Sequence, residues 1–164
     1  MQIPLKGKLR YAVSLRLCGL ILGAAAMVYA ADATLGTWNL NVAKSKFNPG
    51  PAFKSETRIY EQRPEGIKVT IRTVDAGGKS VVSEYPVNYD GKFYPVQGSG
   101  GPADAIAMTS VNDKTAESTL MHGTMVVAKA RRVVSEDGKT MTITYKGSDP
   151  VGTTVDYTLV YEKQ

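Results

Sequence analysis

Apolar and polar residues alternate with a period of two along most of the chain beyond Gly36. The alternation is unbroken in residues 67–72 and 140–145, and it returns in the last run, 155–161. This pattern is typical of β-strands that bury one face. No segment has the period of a helix, although residues 42–47 allow one short turn. The pattern predicts ten strands, near residues 36–41, 53–62, 67–74, 80–87, 93–97, 105–111, 116–121, 125–135, 140–147 and 154–162.

Turn signals separate these runs, among them Ala76-Gly77-Gly78, Asp90-Gly91 and Asp137-Gly138. Evenly spaced short strands joined by such turns predict an all-β domain, either an up-and-down antiparallel barrel or a sandwich. No linker or long repeat divides the strands, and 164 residues suit one domain.

Turn length assigns side chains to faces, because a slip of one residue reverses every side chain of a strand. With Ala76-Gly77-Gly78 as a three-residue loop, Val69 pairs with Tyr85. With Asp90-Gly91 as a two-residue type I′ turn, Tyr85 faces Val96. The two hairpins agree on one apolar face, which carries Ile67, Val69, Ile71, Val81, Tyr85, Val87, Tyr94 and Val96.

The hairpin around Asp137-Gly138 places an arginine on the apolar face. A two-residue turn there pairs Arg132 with Ile143, so that Arg132 points inward on the side of Tyr145. Its neighbour Arg131 then points outward. The turn at Pro64 leaves two inward residues open, Ile59 and Tyr60.

The start of the chain has the pattern of a secretory signal peptide, predicted over residues 1–30. A basic segment precedes an uncharged run over residues 17–31, and small residues offer cleavage after Ala30 or Ala33. The run is shorter than a spanning helix needs, and an uncleaved anchor is the alternative. We therefore expect a periplasmic or secreted barrel domain over residues 31–164, without a transmembrane span. Because Cys18 lies in the leader, the mature chain has no disulfide or thiolate.

Most of the excess positive charge also belongs to the leader. The formal net charge of the whole chain is +5, but four basic residues and no acidic ones lie in the first thirty positions. The remaining chain is nearly neutral, so it lacks the basic surface of a nucleic-acid-binding protein. We expect no nucleic-acid partner.

Short motifs at both ends of the predicted domain resemble those of a known superfamily. Gly36-Thr37-Trp38 resembles the Gly-x-Trp signature of calycin barrels, the lipocalins and fatty-acid-binding proteins. Asp137-Gly138-Lys139 and Tyr161-Glu162-Lys163 resemble the closing strands of fatty-acid-binding proteins. The whole pattern is most similar to small exported bacterial lipocalin-like proteins of unsettled function. The resemblance implies a calycin-like up-and-down barrel of eight to ten strands, with Trp38 buried at one end.

The resemblance also directs attention to one charge. Fatty-acid-binding proteins place a carboxylate-binding arginine two residues before the terminal tyrosine, where this chain has Leu159. Arg132 is the candidate for an equivalent charge. A charge facing an apolar interior is costly unless it is paired. The alternatives for Arg132 are a structural ion pair, packing across Trp38, or a register slip that exposes it.

Tyrosines supply the other candidate ligand contacts, because each offers an apolar ring and one hydrogen-bonding tip. Plain barrel packing is the alternative for them. The predicted ligand-binding residues are Tyr85, Tyr94, Arg132, Tyr145, Tyr157 and Tyr161.

Catalytic, metal and cofactor sites have no support in the sequence. His122 is the single histidine, so a two-histidine metal site is excluded, and the adjacent Gly123 predicts a turn at this position. No Gly-x-Ser-x-Gly elbow occurs, and the glycine-rich residues 98–101 lack the Gly-Lys-Ser/Thr of a phosphate-binding loop. We predict no catalytic residue, no metal and no cofactor.

These observations predict an exported binding module that holds a small, largely apolar ligand, with Arg132 suited to an anionic one. Two alternatives belong to other classes. One is a structural or envelope-interaction barrel with a filled interior, and the other is a barrel enzyme that uses tyrosine and Arg132.

Overall fold

The computed structural model describes residues 32–50, 53–98, 101–148 and 152–164. The predicted leader, residues 1–30, lies outside these residues, and so does part of the glycine-rich loop. The described residues form twelve strands: β1 Gly36–Leu40, β2 Lys46–Asn48, β3 Phe53–Arg63, β4 Gly66–Asp75, β5 Ser80–Val87, β6 Asp90–Pro95, β7 Gln97–Gly98, β8 Ala105–Asn112, β9 Thr115–His122, β10 Met125–Val134, β11 Thr140–Ser148 and β12 Thr154–Lys163. One 3₁₀ turn, Val42–Lys44, follows β1, where the short turn was predicted.

All the strands belong to one antiparallel sheet in the order β6-β8-β9-β10-β11-β12-β1-β3-β4-β5-β7, with β2 attached to β12. Pairing of β12 with β1 joins the last strand to the first and wraps the sheet into a nearly closed barrel. The ten longer strands correspond to the ten predicted ones, and the short β2 and β7 are additional. The predicted all-β up-and-down barrel is therefore confirmed, and the sandwich is wrong. Within the described residues, no helix has the length and apolar character required to cross a membrane.

Two predicted hairpin registers are confirmed. Val69 lies opposite Tyr85 across β4 and β5, and Arg132 lies opposite Ile143 across β10 and β11. The open choice on β3 is resolved in favour of Tyr60, which is 4% exposed and lies opposite Val69.

The predicted type I′ turn at Asp90-Gly91 is wrong. Positive φ angles occur at Tyr89 and Gly91 rather than at Asp90 and Gly91. The strand that begins there, β6, pairs with β8 instead of folding back on β5. The predicted pairing of Tyr85 with Val96 consequently does not form.

A pair of prolines explains why the sheet opens between β5 and β6. The β5–β7 ladder contains Ser83 with Gly98 and Glu84 with Gln97. Two steps further in the same register, Pro86 would meet Pro95. Neither proline has a backbone N–H to donate, so the ladder ends and leaves a seam.

Trp38 is fully buried where β1 begins, as predicted. Its Nε1 donates a hydrogen bond to the carbonyl oxygen of Thr34 at 2.7 Å, and Lys163 Nζ lies 5.1 Å from the centre of the indole rings. The cation over Trp38 is therefore Lys163, whereas Arg132 lies over Tyr60 and Tyr89, so the alternative in which Arg132 packs across Trp38 is wrong.

Candidate functional site

Two arginines face the interior of the barrel from different strands. Arg58 belongs to β3 and lies opposite Trp38 of β1, whereas Arg132 belongs to β10 and lies opposite Ile143 of β11. Strand alternation turns both side chains inward. Their surroundings differ, and this difference defines the candidate site.

Arg132 is held by aromatic rings and one hydroxyl. Its side chain is 6% exposed, and Nη2 donates a hydrogen bond to Tyr89 Oη at 2.7 Å. The guanidinium carbon lies 5.5 Å from the ring centres of both Tyr60 and Tyr89. Its Nε and Nη1 are buried and have no hydrogen-bond partner among the described residues. The structural ion pair considered for Arg132 is likewise not seen in this part of the chain, and the register slip is wrong.

Tyr89 also contributes to the electrostatics around Arg132. Burial raises the pKa of the Tyr89 phenol, the guanidinium of Arg132 lowers it, and the charge of Asp32 and its hydrogen bond to the phenol raise it. The hydroxyl therefore stays protonated near neutral pH and accepts the hydrogen bond from Arg132 without carrying a negative charge. Arg132 thus retains its full positive charge in the interior.

Arg58 has a carboxylate partner. Its Nε donates to Glu56 Oε1 at 2.7 Å and to Tyr161 Oη at 3.0 Å. Tyr161 Oη in turn donates to Glu56 Oε1 at 2.6 Å, and Thr73 Oγ1 donates to Glu56 Oε2 at 2.9 Å. Glu56 thus accepts hydrogen bonds from three residues, and its negative charge neutralises that of Arg58.

Two of the predicted tyrosines line the buried part of the inner wall. Tyr85 is 7% exposed, and burial raises the pKa of its phenol. Tyr161 is fully buried and belongs to the cluster around Glu56 and Arg58.

Tyr145 and Tyr157 form the aromatic part of the wall on β11 and β12. Their rings stack at 6.1 Å with planes 21° apart. Phe47 and Phe53 pack edge-on against Tyr157, at 5.5 and 6.1 Å between ring centres. Tyr145 Oη is buried and has no hydrogen-bond partner among the described residues. Burial and the neighbouring Tyr157 raise the pKa of Tyr145 to about 12.

Tyr94 does not join this group. It lies opposite Ile106 across β6 and β8, but its hydroxyl donates to Asp90 Oδ2 at 2.9 Å, on an exposed strand end. The structure therefore brings five of the six predicted residues to the inner wall and leaves the hydroxyl of the sixth at the edge of the seam.

Sequence reasoning missed Glu56, Arg58 and Tyr89, and it left the choice between Ile59 and Tyr60 open. Glu56, Arg58 and Tyr60 alternate along β3, and Pro64-Glu65 is a two-residue turn because Arg63 lies opposite Gly66. Taking that turn at its shortest length would have placed all three inward. Tyr89 had no such signal, because it lies between strands with a φ of 53°.

The other candidate features lie on the outside. His122 is exposed at the end of β9, with Nδ1 3.4 Å from Asp104 Oδ2. No group of three or more histidine, cysteine, aspartate or glutamate side chains suited to a metal ion occurs in the described part of the chain.

Clefts occur on the outer face of the barrel and at its seam. One, about 480 Å³, lies on the outer face of β6 and β8–β11, between Phe93 and Lys146. Another, about 310 Å³, lies at the seam between Pro86 and Pro95 and includes the inward-facing Ile67 and Tyr85. The seam cleft therefore extends to the inner wall.

Comparison with known proteins gives a likeness to solved structures alone. No protein-family model matches the chain, and no curated protein matches it. Among solved structures, it is similar to the ileal bile acid-binding protein of zebrafish, crystallised with cholic acid, at 12% sequence identity and a TM-score of 0.48. The match covers 80% of this chain and 99% of the zebrafish chain.

Proposed function

We propose that the barrel is a binding module for a small, largely apolar ligand whose acid group is held by Arg132. The observation that carries this proposal is the pair of buried donors, Nε and Nη1, that have no partner among the described residues. Leaving a buried donor unpaired costs about 1–3 kcal/mol, and more for a charged group. A ligand carboxylate supplies the missing acceptor and a compensating charge.

The other inward arginine is less suited to this task. Arg58 already pairs with Glu56 at 2.7 Å, so an incoming anion would compete with a buried carboxylate. Arg132 has aromatic rings around it and makes no ion pair in the described residues; Asp32 acts on its charge without contacting it as a salt bridge. The wall beside it includes the buried Ile143 and Leu159, which favour an apolar ligand body.

We further propose that the module acts outside the cytoplasm. The basic start and the uncharged run of residues 17–31 support a signal peptide over residues 1–30 and a mature domain over residues 31–164. The periplasm or the external medium is then the compartment in which the ligand is met.

The test is displacement of a fluorescent fatty acid from the purified protein and two variants. Arg132→Met is expected to weaken binding of the anionic probe at least tenfold, because it removes the charge and keeps much of the side-chain volume. Arg131→Met is the matched control, since Arg131 points outward and pairs with the exposed Glu117. Equal affinity of the wild type and Arg132→Met, with both folded, would contradict the proposal.

A further inference from the structure

Three buried side-chain atoms of the described residues have no hydrogen-bond partner: Arg132 Nε, Arg132 Nη1 and Tyr145 Oη. We propose that the barrel selects an amphipathic acid that carries a second oxygen group along its chain, and that Tyr145 is the specificity-determining residue that bonds this oxygen. The inference rests on the proposed function, because it takes the acid group to be held by Arg132.

Arg132 and Tyr145 lie on the same inner wall but serve different parts of a ligand. Arg132 is opposite Ile143, and Tyr145 is two residues further along β11. Arg132 extends over the ring of Tyr60. Tyr145 instead stacks its ring on Tyr157 of the next strand. One carboxylate at Arg132 therefore leaves the hydroxyl of Tyr145 without a partner.

The charges that act on Tyr145 support this separation. Burial and Tyr157 raise the pKa of the phenol to about 12, and the charge that opposes them is that of Arg58. By contrast, the phenol of Tyr89 is affected by Arg132. The two unpaired groups thus belong to different electrostatic surroundings, and Tyr145 remains a neutral O–H donor at physiological pH.

The unpaired hydroxyl is costly unless something bonds it. Two other inward hydroxyls have partners, since Tyr161 bonds Glu56 and Tyr89 bonds Arg132. At Tyr145, phenylalanine would fill nearly the same volume and remove the unpaired group. Phenylalanine at position 145 would therefore suit a ligand with a plain acyl chain. Tyrosine is the better residue for a ligand whose hydroxyl or keto oxygen bonds the phenol.

The inference is tested with octadecanoic acid and a series of hydroxyoctadecanoic acids that differ in the position of the hydroxyl. For the wild type, we expect at least one isomer to bind about five- to tenfold more tightly than the plain acid, the equivalent of one net hydrogen bond. Tyr145→Phe is expected to lose this preference while it binds the plain acid at least as tightly. Tyr94→Phe is the matched control, because its hydroxyl bonds Asp90 at the seam, and it should keep the preference.

Two results would overturn the inference while leaving the proposed function intact. One is equal affinity of the wild type for every isomer and the plain acid. The other is a preference that persists in Tyr145→Phe. If the wild type binds none of these acids, both proposals are overturned. Melting curves of the two tyrosine variants show that any change arises in a folded protein.

Discussion

The two inward arginines present the same side chain in two environments. Each lies over a tyrosine ring, Arg58 at 5.2 Å from the centre of Tyr161 and Arg132 at 5.5 Å from that of Tyr60. Arg58 adds an ion pair with Glu56, whereas Arg132 adds one neutral hydroxyl. Arg58 therefore belongs to a complete hydrogen-bond network around Glu56. Arg132 has no ion pair and two unpartnered N–H groups among the described residues, with Asp32 as an acidic group that acts on its charge.

This difference indicates which buried charge of the inner wall is available to a ligand. A buried cation with its own carboxylate contributes to the fold, because removal of either partner leaves an uncompensated charge. A buried cation without one weakens the fold, and this cost is offset when a ligand binds. The two arginines should therefore respond in opposite ways to the same substitution.

The largest expected effect is on stability. Arg58→Met leaves the carboxylate of Glu56, which is 5% exposed, without its cation, and should lower the free energy of unfolding by about 3–5 kcal/mol. Arg132→Met should leave the free energy of unfolding unchanged or raise it slightly, since methionine removes an unpaired buried charge. Urea denaturation of both variants measures the contrast. Equal destabilisation would mean that Arg132 is also a structural partner.

The contrast between the arginines also shows what could be predicted from sequence. The inward position of Arg132 followed from the length of one local turn, because the register of a hairpin is set within a few residues. The same counting was correct for Val69 and Tyr85. The inward orientation of Arg58 was not predicted, because charged residues such as Glu56 and Arg58 are typical of the solvent-facing side of an alternating strand. Their orientation follows only once Tyr60 is known to point inward.

Counting the residues of a hairpin turn cannot predict contacts between strands that are distant in sequence. The residue over Trp38 depends on pairing of β1 with β12, where Trp38 meets Lys163 at the far end of the chain. The seam likewise depends on whether the residues after Gly91 pair with β5 or with β8. A local turn signal cannot decide between two such partners, and the opposed Pro86 and Pro95 emerge only when the ladders are known.

A smaller effect concerns where the mature chain begins. Thr34 is 1% exposed, its N–H donates to Asp32 Oδ1 at 2.8 Å and its carbonyl accepts from Trp38. A chain starting at Thr34 would bury a charged amine and lose Asp32, an acidic group that acts on Arg132. We therefore expect cleavage after Ala30 rather than after Ala33.

N-terminal sequencing of the exported protein checks this prediction, with Ala31 as the expected first residue. A chain that begins at Thr34 should be less stable than one that begins at Ala31 by about 1–3 kcal/mol, the cost of unpaired buried polar groups. Recovery of Thr34 as the natural first residue would show that the Asp32 contacts are dispensable. An intact Met1 would contradict cleavage altogether.

The stability at alkaline pH separates two tyrosines of the inner wall, Tyr161 beside Arg58 and the unpartnered Tyr145. Burial raises the pKa of both phenols, to about 12 for Tyr145 and well above the usual value for Tyr161. A phenol in the unfolded chain has a pKa of about 10. The neutral phenols therefore contribute stability that is fully present below pH 10 and is lost as the pH rises through the folded pKa. For Tyr145 the window is from about pH 10 to about pH 12.

Substitution by phenylalanine distinguishes the partnered hydroxyl from the unpartnered one. Tyr161→Phe should lower the free energy of unfolding by about 1.5–3 kcal/mol near pH 7, because it removes a hydrogen bond to the charged Glu56. Tyr145→Phe should raise the free energy of unfolding at pH 7, by up to about 1–3 kcal/mol, because it removes a buried hydroxyl that bonds no described residue. Between pH 10 and 12, however, Tyr145→Phe should lose less stability than the wild type, because it has no phenol to ionise on unfolding. Parallel stability curves for the wild type and Tyr145→Phe across this range would mean that the hydroxyl is already solvated in the native barrel. The contrast between Tyr145 and Tyr161 would then be wrong.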